Sequence, residues 1–425
     1  MTATDPTRAT HRAVEAVWRI EAGRLIAGLA RLVRDVGQAE ELAQDALVIA
    51  LEQWPRDGVP ERPGGWLMAT AKHRAVDLLR RQSRYQEKVA EIGRDLEVGQ
   101  AWAEPDLDDA LDDHIGDDLL RLIFTACHPV LSPESRVALT LRFLGGLSTD
   151  EIARAFLIPE PTAAQRLVRA KRTLAARKVE FELPAPAELA ERLDSVLEAI
   201  FLIFNEGYAA SAGEDWMRPA LCEEALRLGR ILAGLVPEQA EVHGLVALME
   251  IQASRTYARS GPDGEPVLLM DQDRRRWDRL LIRRGLQALQ RAESLADMPG
   301  PYTLQAAIAV CHARAATPED TDWALIAALY QVLVHRWPSP VAQLNRAVAV
   351  GMADGPAAGL AIADPLTLEP ALASYPMLAA VRGDLLARLG RNDEARRQFQ
   401  RAAELTRNQQ EQAIFRNRAD RIPPA

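Results

Sequence analysis

The stretch GGLSTDEIARAFLIPEPTAAQRLVRAKRTLAARK, residues 145–178, contains two short helical patterns separated by a break. Ser148 or Thr149 can cap the first helix, and Glu151 can complete a capping box. Pro161 suits the first turn of the second helix, whose apolar residues recur at helical spacing. These residues are Ala163, Leu167, Ala170 and Leu174. The pattern predicts a helix-turn-helix, a motif whose second helix enters the major groove of DNA.

Polar and basic side chains remain on the outside of this second helix. The residues expected to face DNA are Thr162, Gln165, Arg166, Arg169, Lys171 and Arg172. Arg166 and Gln165 can make bidentate contacts to guanine and adenine, whereas the later cations suit phosphates. An ordinary helical hairpin with a solvated charged face remains the alternative, because such patterns also occur in proteins that do not bind DNA.

Length and composition predict a multidomain protein of the all-α class. A chain of 425 residues is long enough for about two to four domains. Aromatic residues make up only 5%, and helical periodicity runs through most of the chain. The net charge of -9 argues against a general polyanion binder, but cations cluster at 74–88 and 166–178. Local basic surfaces are therefore expected within an acidic protein.

Several classes of function find no support in the sequence. Cys127, Cys222 and Cys311 are far apart, and no His/Cys cluster has the spacing of a metal site. No nucleophile with its base, phosphate loop or cofactor motif has meaningful spacing, so we expect neither an enzyme nor a cofactor. The N-terminus lacks an apolar signal core, and no apolar run is long enough to cross a bilayer. These features predict a cytoplasmic protein without a membrane partner.

Breaks and charge runs divide the chain into four predicted segments. They are a helical block at 11–86, an acidic linker at 87–118, a helix-turn-helix block at 119–182 and a helical tail at 187–425. In the first block, one helix is expected to have an apolar face and to end at Gly37. The face consists of Val14, Val17, Trp18, Leu25, Leu29 and Leu32. One interpretation of the linker is a solvated spacer between two domains.

The tail has turns at about the spacing of paired-helix repeats. In its last section, from Pro376, Gly383 and Phe399 fall where tetratricopeptide repeats place small and aromatic packing residues. A generic helical bundle remains the alternative.

A stretch of alternating charge within the tail contains Asp271, Asp273 and Arg275, with Asp273 placed to cap a helix. These residues either make a regulatory contact or form a salt-bridged surface connection.

Three N-terminal pieces, taken together in their order, resemble the extracytoplasmic-function (ECF) group of bacterial RNA polymerase sigma factors. QAEELAQDALVIALEQW at 38–54 resembles the sigma-2 helix that docks on the polymerase clamp. GGWLMATAKHRAVDLLRR at 64–81 resembles the minus-10 segment, and residues 131–174 resemble sigma-4, the minus-35 reader. The tail is similar to the C-terminal, tetratricopeptide-like extension of one subgroup, in which the extension is thought to affect activity.

The resemblance implies two partners, core RNA polymerase and promoter DNA. The implied polymerase contacts are Glu40, Glu41, Gln44 and Asp45. The implied minus-10 contacts are Trp66, Lys72, His73, Arg74, Arg80 and Arg81. Two alternatives stay open: the acidic residues are only the solvated side of their helix, and Trp66 is spaced like a core residue. The resemblance also implies a linker that runs into the polymerase toward the path of the RNA.

The sequence departs from the group's pattern at two reading positions. His73 stands where many members have an asparagine that captures a flipped base, which leaves the base preference there open. Ala164 stands where members often have a polar or basic reader, so readout shifts to Gln165, Arg166 and Arg169.

Taken together, these features imply a promoter-specificity subunit with a sigma-2 bundle, a sigma-4 helix-turn-helix and a helical-repeat tail. The tail is expected to modulate activity and is a candidate binding surface for a regulatory protein, while the reaction belongs to the polymerase. The alternative is a helix-turn-helix activator with a helical-repeat sensor domain, which would bind duplex DNA without polymerase. The sigma-2-like residues argue against that alternative.

Overall fold

The chain is almost entirely helical, as its composition predicts. The computed structural model describes residues 6–92, 115–156, 158–210, 212–213, 216–261 and 265–423. The chain divides into two compact units, Met1–Ala199 and Ile200–Ala425, and the division falls within one helix. Strand pairing in the described residues is limited to β1 (Ala212–Gly213) beside β2 (Arg407–Asn408) and one bridge between Ser260 and Pro266. Most of the predicted acidic linker lies outside the described residues.

The first unit contains both N-terminal predicted domains. Its helices are α1 (Pro6–Val33), α2 (Val36–Asp57), α3 (Pro63–Ile92), α4 (Ile115–Ala126), α5 (Pro133–Phe143), α6 (Thr149–Ala155), α7 (Glu160–Ala176) and α8 (Leu189–Tyr208), which continues into the second unit. Helix α1 packs on α2, α3 and α4, while α7 packs on α5 and α6. The predicted apolar face of α1 is confirmed at Val14, Trp18, Leu25 and Leu29, which are buried, whereas Val17 and Leu32 are half-buried.

The break between α1 and α2 lies before Gly37. Arg34 follows α1 with a left-handed φ of 55°, and Asp35 caps α2 by accepting a 2.8 Å hydrogen bond from the Gln38 backbone N–H. Gly37 lies inside α2, so the prediction that it ends the first helix was wrong. A carboxylate cap two residues earlier satisfies the helix N-terminus, and the glycine then continues the helix.

The second unit is built from helices that pack on their neighbours in the chain. They are α9 (Pro219–Leu235), α10 (Ala240–Ala253), α11 (Arg279–Leu295), α12 (Pro301–Arg314), α13 (Trp323–Arg336), α14 (Pro340–Ala353), α15 (Pro356–Ala363), α16 (Pro376–Arg388), α17 (Asn392–Leu405) and α18 (Gln409–Arg421). Short 3-10 turns include Thr256–Ala258, Leu269–Asp271 and Arg274–Arg276. Helix α10 is almost fully buried because it packs on α9, α11 and α12.

The pair α16 and α17 contains the positions that resemble a tetratricopeptide repeat. A Cβ atom added to Gly383 would lie 3.1 Å from the ring of the buried Phe399. The small and aromatic residues therefore pack on each other, as their spacing indicates. The repeat interpretation of the tail as a whole stays a prediction.

Candidate nucleic-acid interface

Helices α6 and α7 form the helix-turn-helix. Ser148 caps α6 by accepting a 3.1 Å bond from the Glu151 backbone N–H, and Glu151 accepts a 2.8 Å bond from the Ser148 backbone N–H. This reciprocal pair is a capping box, and it fixes where α6 starts. Ile152 of α6 is buried against the second helix of the motif. The predicted cap at Ser148 is confirmed.

The predicted apolar stripe of α7 is buried along its whole length. Ala163, Leu167, Ala170 and Leu174 are all at most 6% exposed, and Pro161 lies in the first turn. Burial of this stripe leaves the opposite face of the helix to solvent. The exposed residues there include Thr162, Gln165, Arg169 and Arg172, whereas Arg166 and Lys171 are half-buried.

Lys171 points away from this exposed face toward α2. Its Nζ donates a 2.8 Å hydrogen bond to Oε2 of Glu40, a carboxylate that is only 4% exposed. Arg142 of α5 donates from Nε to Oε1 of the same carboxylate at 2.6 Å. Gln44 donates to Glu40 as well. One buried carboxylate thus joins α2 to α5 and to α7, the second helix of the helix-turn-helix.

The cations keep this carboxylate charged. Burial alone raises the pKa of Glu40, but the hydrogen bond from Lys171 and the charges of Arg142 and Lys171 outweigh it. The pKa of Glu40 is therefore held below its usual range. A buried charge that is paired and fully hydrogen-bonded avoids most of the cost of leaving water.

A neutral contact lies beside this ion cluster. Trp18 of α1 donates from its indole Nε1 to the carbonyl of Gly146 at 3.0 Å. Gly146 has a φ of +66°, and a Cβ there would lie 3.2 Å from the Trp18 ring. Only glycine combines this conformation with so close an aromatic neighbour at low cost. Arg19 and Glu151 add an exposed ion pair at 2.6 Å.

The four residues of α2 assigned to polymerase fall on two faces. Glu41 and Asp45 are exposed, whereas Glu40 is buried and Gln44 is half-buried. Residues four apart share a helix face, so positions 40 and 44 form one pair and positions 41 and 45 form another. The sequence could not show which pair would be covered, because the covering residues Arg142 and Lys171 are distant in the chain.

The minus-10 candidates lie along α3. Trp66 is half-buried and makes an edge-to-face contact with the buried Trp54, with ring centroids 5.4 Å apart. Arg74 forms a 2.6 Å ion pair with Asp45 of α2. The remaining candidates follow on the same helix, with Lys72 half-buried and the others exposed: Lys72, His73, Arg80 and Arg81. The structure therefore brings these cations onto one helix, which also contacts α2.

The charged stretch of the second unit is a surface turn rather than the start of a long helix. Asp273 caps the 3-10 turn Arg274–Arg276, accepts from the Arg275 side chain at 3.0 Å and lies in an exposed pair with it. The α-helix that follows begins at Arg279 and is capped by Asp278. Asp271 is exposed as well. No local pattern indicated that the adjacent Arg274 would be buried.

Metal-binding and membrane-spanning features are not found in the described part of the chain. No group of three or more His, Cys, Asp or Glu side chains there could hold a metal ion. None of the helices described combines the length and the apolar character needed to span a bilayer. The three cysteines are buried thiols.

Known protein families match three parts of the chain. Residues 19–85 match Sigma-70 region 2, and residues 121–174 match Sigma-70, region 4. Residues 192–293 match a family of unknown function, DUF6596. The first two matches contain α2, α3 and the helix-turn-helix, and the third lies mostly in the second unit.

Individual relatives agree with these matches. "Uncharacterized protein R00370" of Rhizobium meliloti (strain 1021) is 44% identical over 395 residues, 93% of this chain and 92% of that protein. ECF RNA polymerase sigma factor SigK of Mycobacterium bovis is 30% identical over 148 residues, 34% of this chain and 74% of that protein. Probable ECF RNA polymerase sigma factor SigI of Mycobacterium tuberculosis is 29% identical over 168 residues, 39% of this chain and 55% of that protein.

Proposed function

Because the chain belongs to the ECF family of RNA polymerase sigma factors, we propose that it directs core polymerase to promoters with both minus-35 and minus-10 elements. Sigma factors are transcription initiation factors that bind core RNA polymerase and promoter DNA, and they are not enzymes. The observation that carries the proposal is the exposed polar face of α7, which lies within the region 4 match.

On α7 we assign base readout to the early residues and phosphate binding to the later ones. Gln165 and Arg166 have the geometry for adenine and guanine edges, with Thr162 at the start of the helix. Arg169 and Arg172 are exposed cations suited to the flanking phosphates. Lys171 is a phosphate contact only after it leaves Glu40, because one ammonium cannot serve both at once. A phosphate contact by Lys171 therefore requires this part of α7 to separate from α2.

Region 2 supplies the second promoter contact in this proposal. The exposed His73, Arg74, Arg80 and Arg81 of α3 form a cationic surface for the displaced strand, together with Lys72. Trp66 contributes by packing α3 on Trp54 of α2, and the part of the Trp66 ring that is exposed is available to a base. On α2, Glu41 and Asp45 are the polymerase contacts available in the free chain, and separation of α7 exposes Glu40 and Gln44.

We assign a modulating role to the helical second unit, which contains most of the DUF6596 match. The predicted domain boundaries at 86, 118 and 182, and a regulatory protein that binds the tail, belong to the same proposal. Asp271, Asp273 and Arg275 are its candidate contact residues.

Promoter-dependent run-off transcription with bacterial core polymerase tests the proposal. The full chain should support initiation, and Arg166→Ala should lower it by about five- to 150-fold, since a bidentate base contact is worth about 1–3 kcal/mol. Arg169→Ala should weaken binding to all sequences and reduce the salt slope by about one.

The matched control is Arg283→Ala, which removes an exposed arginine from α11 of the second unit. It should leave initiation unchanged. Tight binding to duplex DNA alone, with no core binding and no initiation, would instead support a helix-turn-helix activator.

A further inference from the structure

Three arginines are buried near the end of α10 in the second unit. Arg255 and Arg259 flank the 3-10 turn Thr256–Ala258, and Arg274 lies in the turn before α11. They are 9%, 5% and 5% exposed, respectively. Arginine is almost never buried to this degree unless it is paired with an anion.

Aromatic rings connect the three guanidinium groups. The Cζ atom of Arg259 lies 3.4 Å from the ring centre of Tyr208 and 4.4 Å from that of Trp216. Arg255 lies 5.7 Å from the ring centres of both Tyr208 and Trp277, and Arg274 lies 5.2 Å from that of Trp277. The rings bring like charges into one cluster, which we call the arginine cluster: Arg255, Arg259, Arg274, Tyr208, Trp216 and Trp277.

No carboxylate of the described residues forms an ion pair with any of these arginines. Arg274 donates to the carbonyls of His312 and Ala315 at 2.8 Å and to Oγ1 of Thr321 at 3.0 Å. Arg255 donates to Oη of Tyr208 at 2.6 Å and to Gln252. These acceptors are neutral. The charges of Glu319 and Asp320 act on Arg274 without an ion pair, whereas no carboxylate of the described residues is paired with Arg255 or Arg259. Cation–π contacts offset part of this cost but supply no negative charge.

Several N–H groups of the arginine cluster are also left without an acceptor. They are Nε of Arg255, Nη1 of Arg259, Nε of Arg274 and the indole Nε1 atoms of Trp216 and Trp277. Buried donors in folded proteins are almost always hydrogen-bonded, and each exception calls for a partner. A group that offers several oxygen acceptors and negative charge would satisfy both deficits together.

His312 contributes no compensation. Burial, together with the charges of Arg255 and Arg274, lowers the pKa of His312 to about 4. The imidazole is therefore neutral at pH 7 and adds no positive charge to the arginine cluster. Its Nδ1 is buried without a partner as well.

We propose that the arginine cluster is a binding site for a small oxyanion, a carboxylate or a phosphate group. Arg259 and Arg255 supply the free guanidinium donors, and the indole N–H groups of Trp216 and Trp277 add neutral donors. Arg274 is a positioning residue, because three of its five N–H donors are already used by the carbonyls of His312 and Ala315 and by the Thr321 hydroxyl. The proposal goes beyond the sigma-factor function and does not depend on it.

Thermal unfolding of the full chain provides the test. Inorganic phosphate and succinate are titrated separately at pH 7 against sodium chloride of equal ionic strength. At least one oxyanion should raise the melting temperature by several degrees in a saturable way, because a ligand that binds only the native state stabilises it. The titration that saturates at lower concentration identifies phosphate or carboxylate as the preferred chemistry.

Two variants locate the site. Arg259→Met should weaken the response at least tenfold, and in chloride alone it should melt no lower than the wild type, because it removes an uncompensated charge. The control Arg283→Ala should keep the full response. Equal effects of chloride and both oxyanions on the wild type would overturn the proposal, as would an undiminished response of Arg259→Met. Isothermal titration calorimetry with the preferred anion should give the same order of affinities.

Discussion

The buried charges of the two units are balanced in opposite ways. In the first unit, the buried carboxylate of Glu40 receives hydrogen bonds from two cations, Arg142 and Lys171. In the second unit, Arg255 and Arg259 are buried with no carboxylate paired to them in the described residues. A buried ion that the chain itself compensates serves to join structural elements. A buried ion that the chain does not compensate indicates a binding site for a ligand of opposite charge.

The ion cluster at Glu40 joins α2, a polymerase candidate, to α7, a DNA candidate, so one residue of each proposed surface, Glu40 and Lys171, is engaged by the other in the free chain. Because the contact is ionic and hydrogen-bonded rather than a large apolar interface, partners of opposite charge can compete for the same groups. Phosphates compete for Lys171, and a basic polymerase surface competes for Glu40.

We expect the largest effect on stability when the ion cluster around Glu40 loses its carboxylate. Glu40→Ala leaves the half-buried Arg142 and Lys171 without the carboxylate that they share, which should destabilise the contact between α2 and α7 by roughly 3 kcal/mol, the lower end of the range for a buried pair. Hydrogen exchange of the full chain, resolved to peptides of α2 and α7, measures this directly. Exchange in the second unit should stay unchanged.

Glu41→Ala is the matched control, because this carboxylate is exposed on the same helix. Its exchange profile should match the wild type within error. Equal protection in Glu40→Ala and Glu41→Ala would show that the ion cluster does not hold α7 on α2.

The second expected effect is a pH dependence of the free energy of unfolding that comes from His312, which lies near Arg255 and Arg274. The pKa of His312 is about 4 in the folded chain, against about 6.5 in an unfolded one. Between these values the unfolded chain binds a proton that the folded chain does not, so stability falls as pH falls. The contribution of His312 to the free energy of unfolding should fall by about 2 kcal/mol between pH 7 and pH 5.

Chemical denaturation of the wild type and of His312→Asn at both pH values isolates this contribution. The variant should lose less stability on acidification, while other groups such as His128 titrate equally in both proteins. The same pH sensitivity in the two proteins would contradict the assignment. Glu40 acts in the same direction but at lower pH, since its pKa is lowered and its contribution to stability is lost only as the pH falls through that pKa.

A smaller effect is expected from the neutral contact beside Glu40. Trp18→Phe removes the hydrogen bond to the Gly146 carbonyl and part of a buried ring, which should cost about 1–2 kcal/mol. The exposed pair of Arg19 with Glu151 should contribute less than about 0.5 kcal/mol. Hydrogen exchange rates at the start of α6 are measured in Trp18→Phe and in Arg19→Ala. A larger change in Arg19→Ala would contradict the expected order of the two contributions.

Sequence patterns predicted the local structure well and the long-range contacts poorly. The capping box at Ser148 and the buried stripe of α7 follow from residues within one or two helical turns of each other, so spacing alone determines them. The partners of Glu40 are 102 and 131 residues away, and no local pattern links them. The same holds for Arg274, which looks identical in sequence to its exposed neighbours Arg275 and Arg276.

The smallest change in stability is expected at the surface turn of the second unit, where charge is neither buried nor shared between elements. The Arg275 side chain is 89% exposed and pairs with the exposed Asp273, so replacing Asp271, Asp273 and Arg275 with alanine should leave the melting temperature unchanged. If this turn contacts polymerase or region 2 during initiation, run-off transcription should nevertheless change. Arg274→Met, one residue away, should instead lower the melting temperature, because it removes three hydrogen bonds that a buried side chain donates. Unchanged transcription by the triple variant would assign Asp271, Asp273 and Arg275 to a solvated surface pair, and the modulating contact would then lie elsewhere in the second unit.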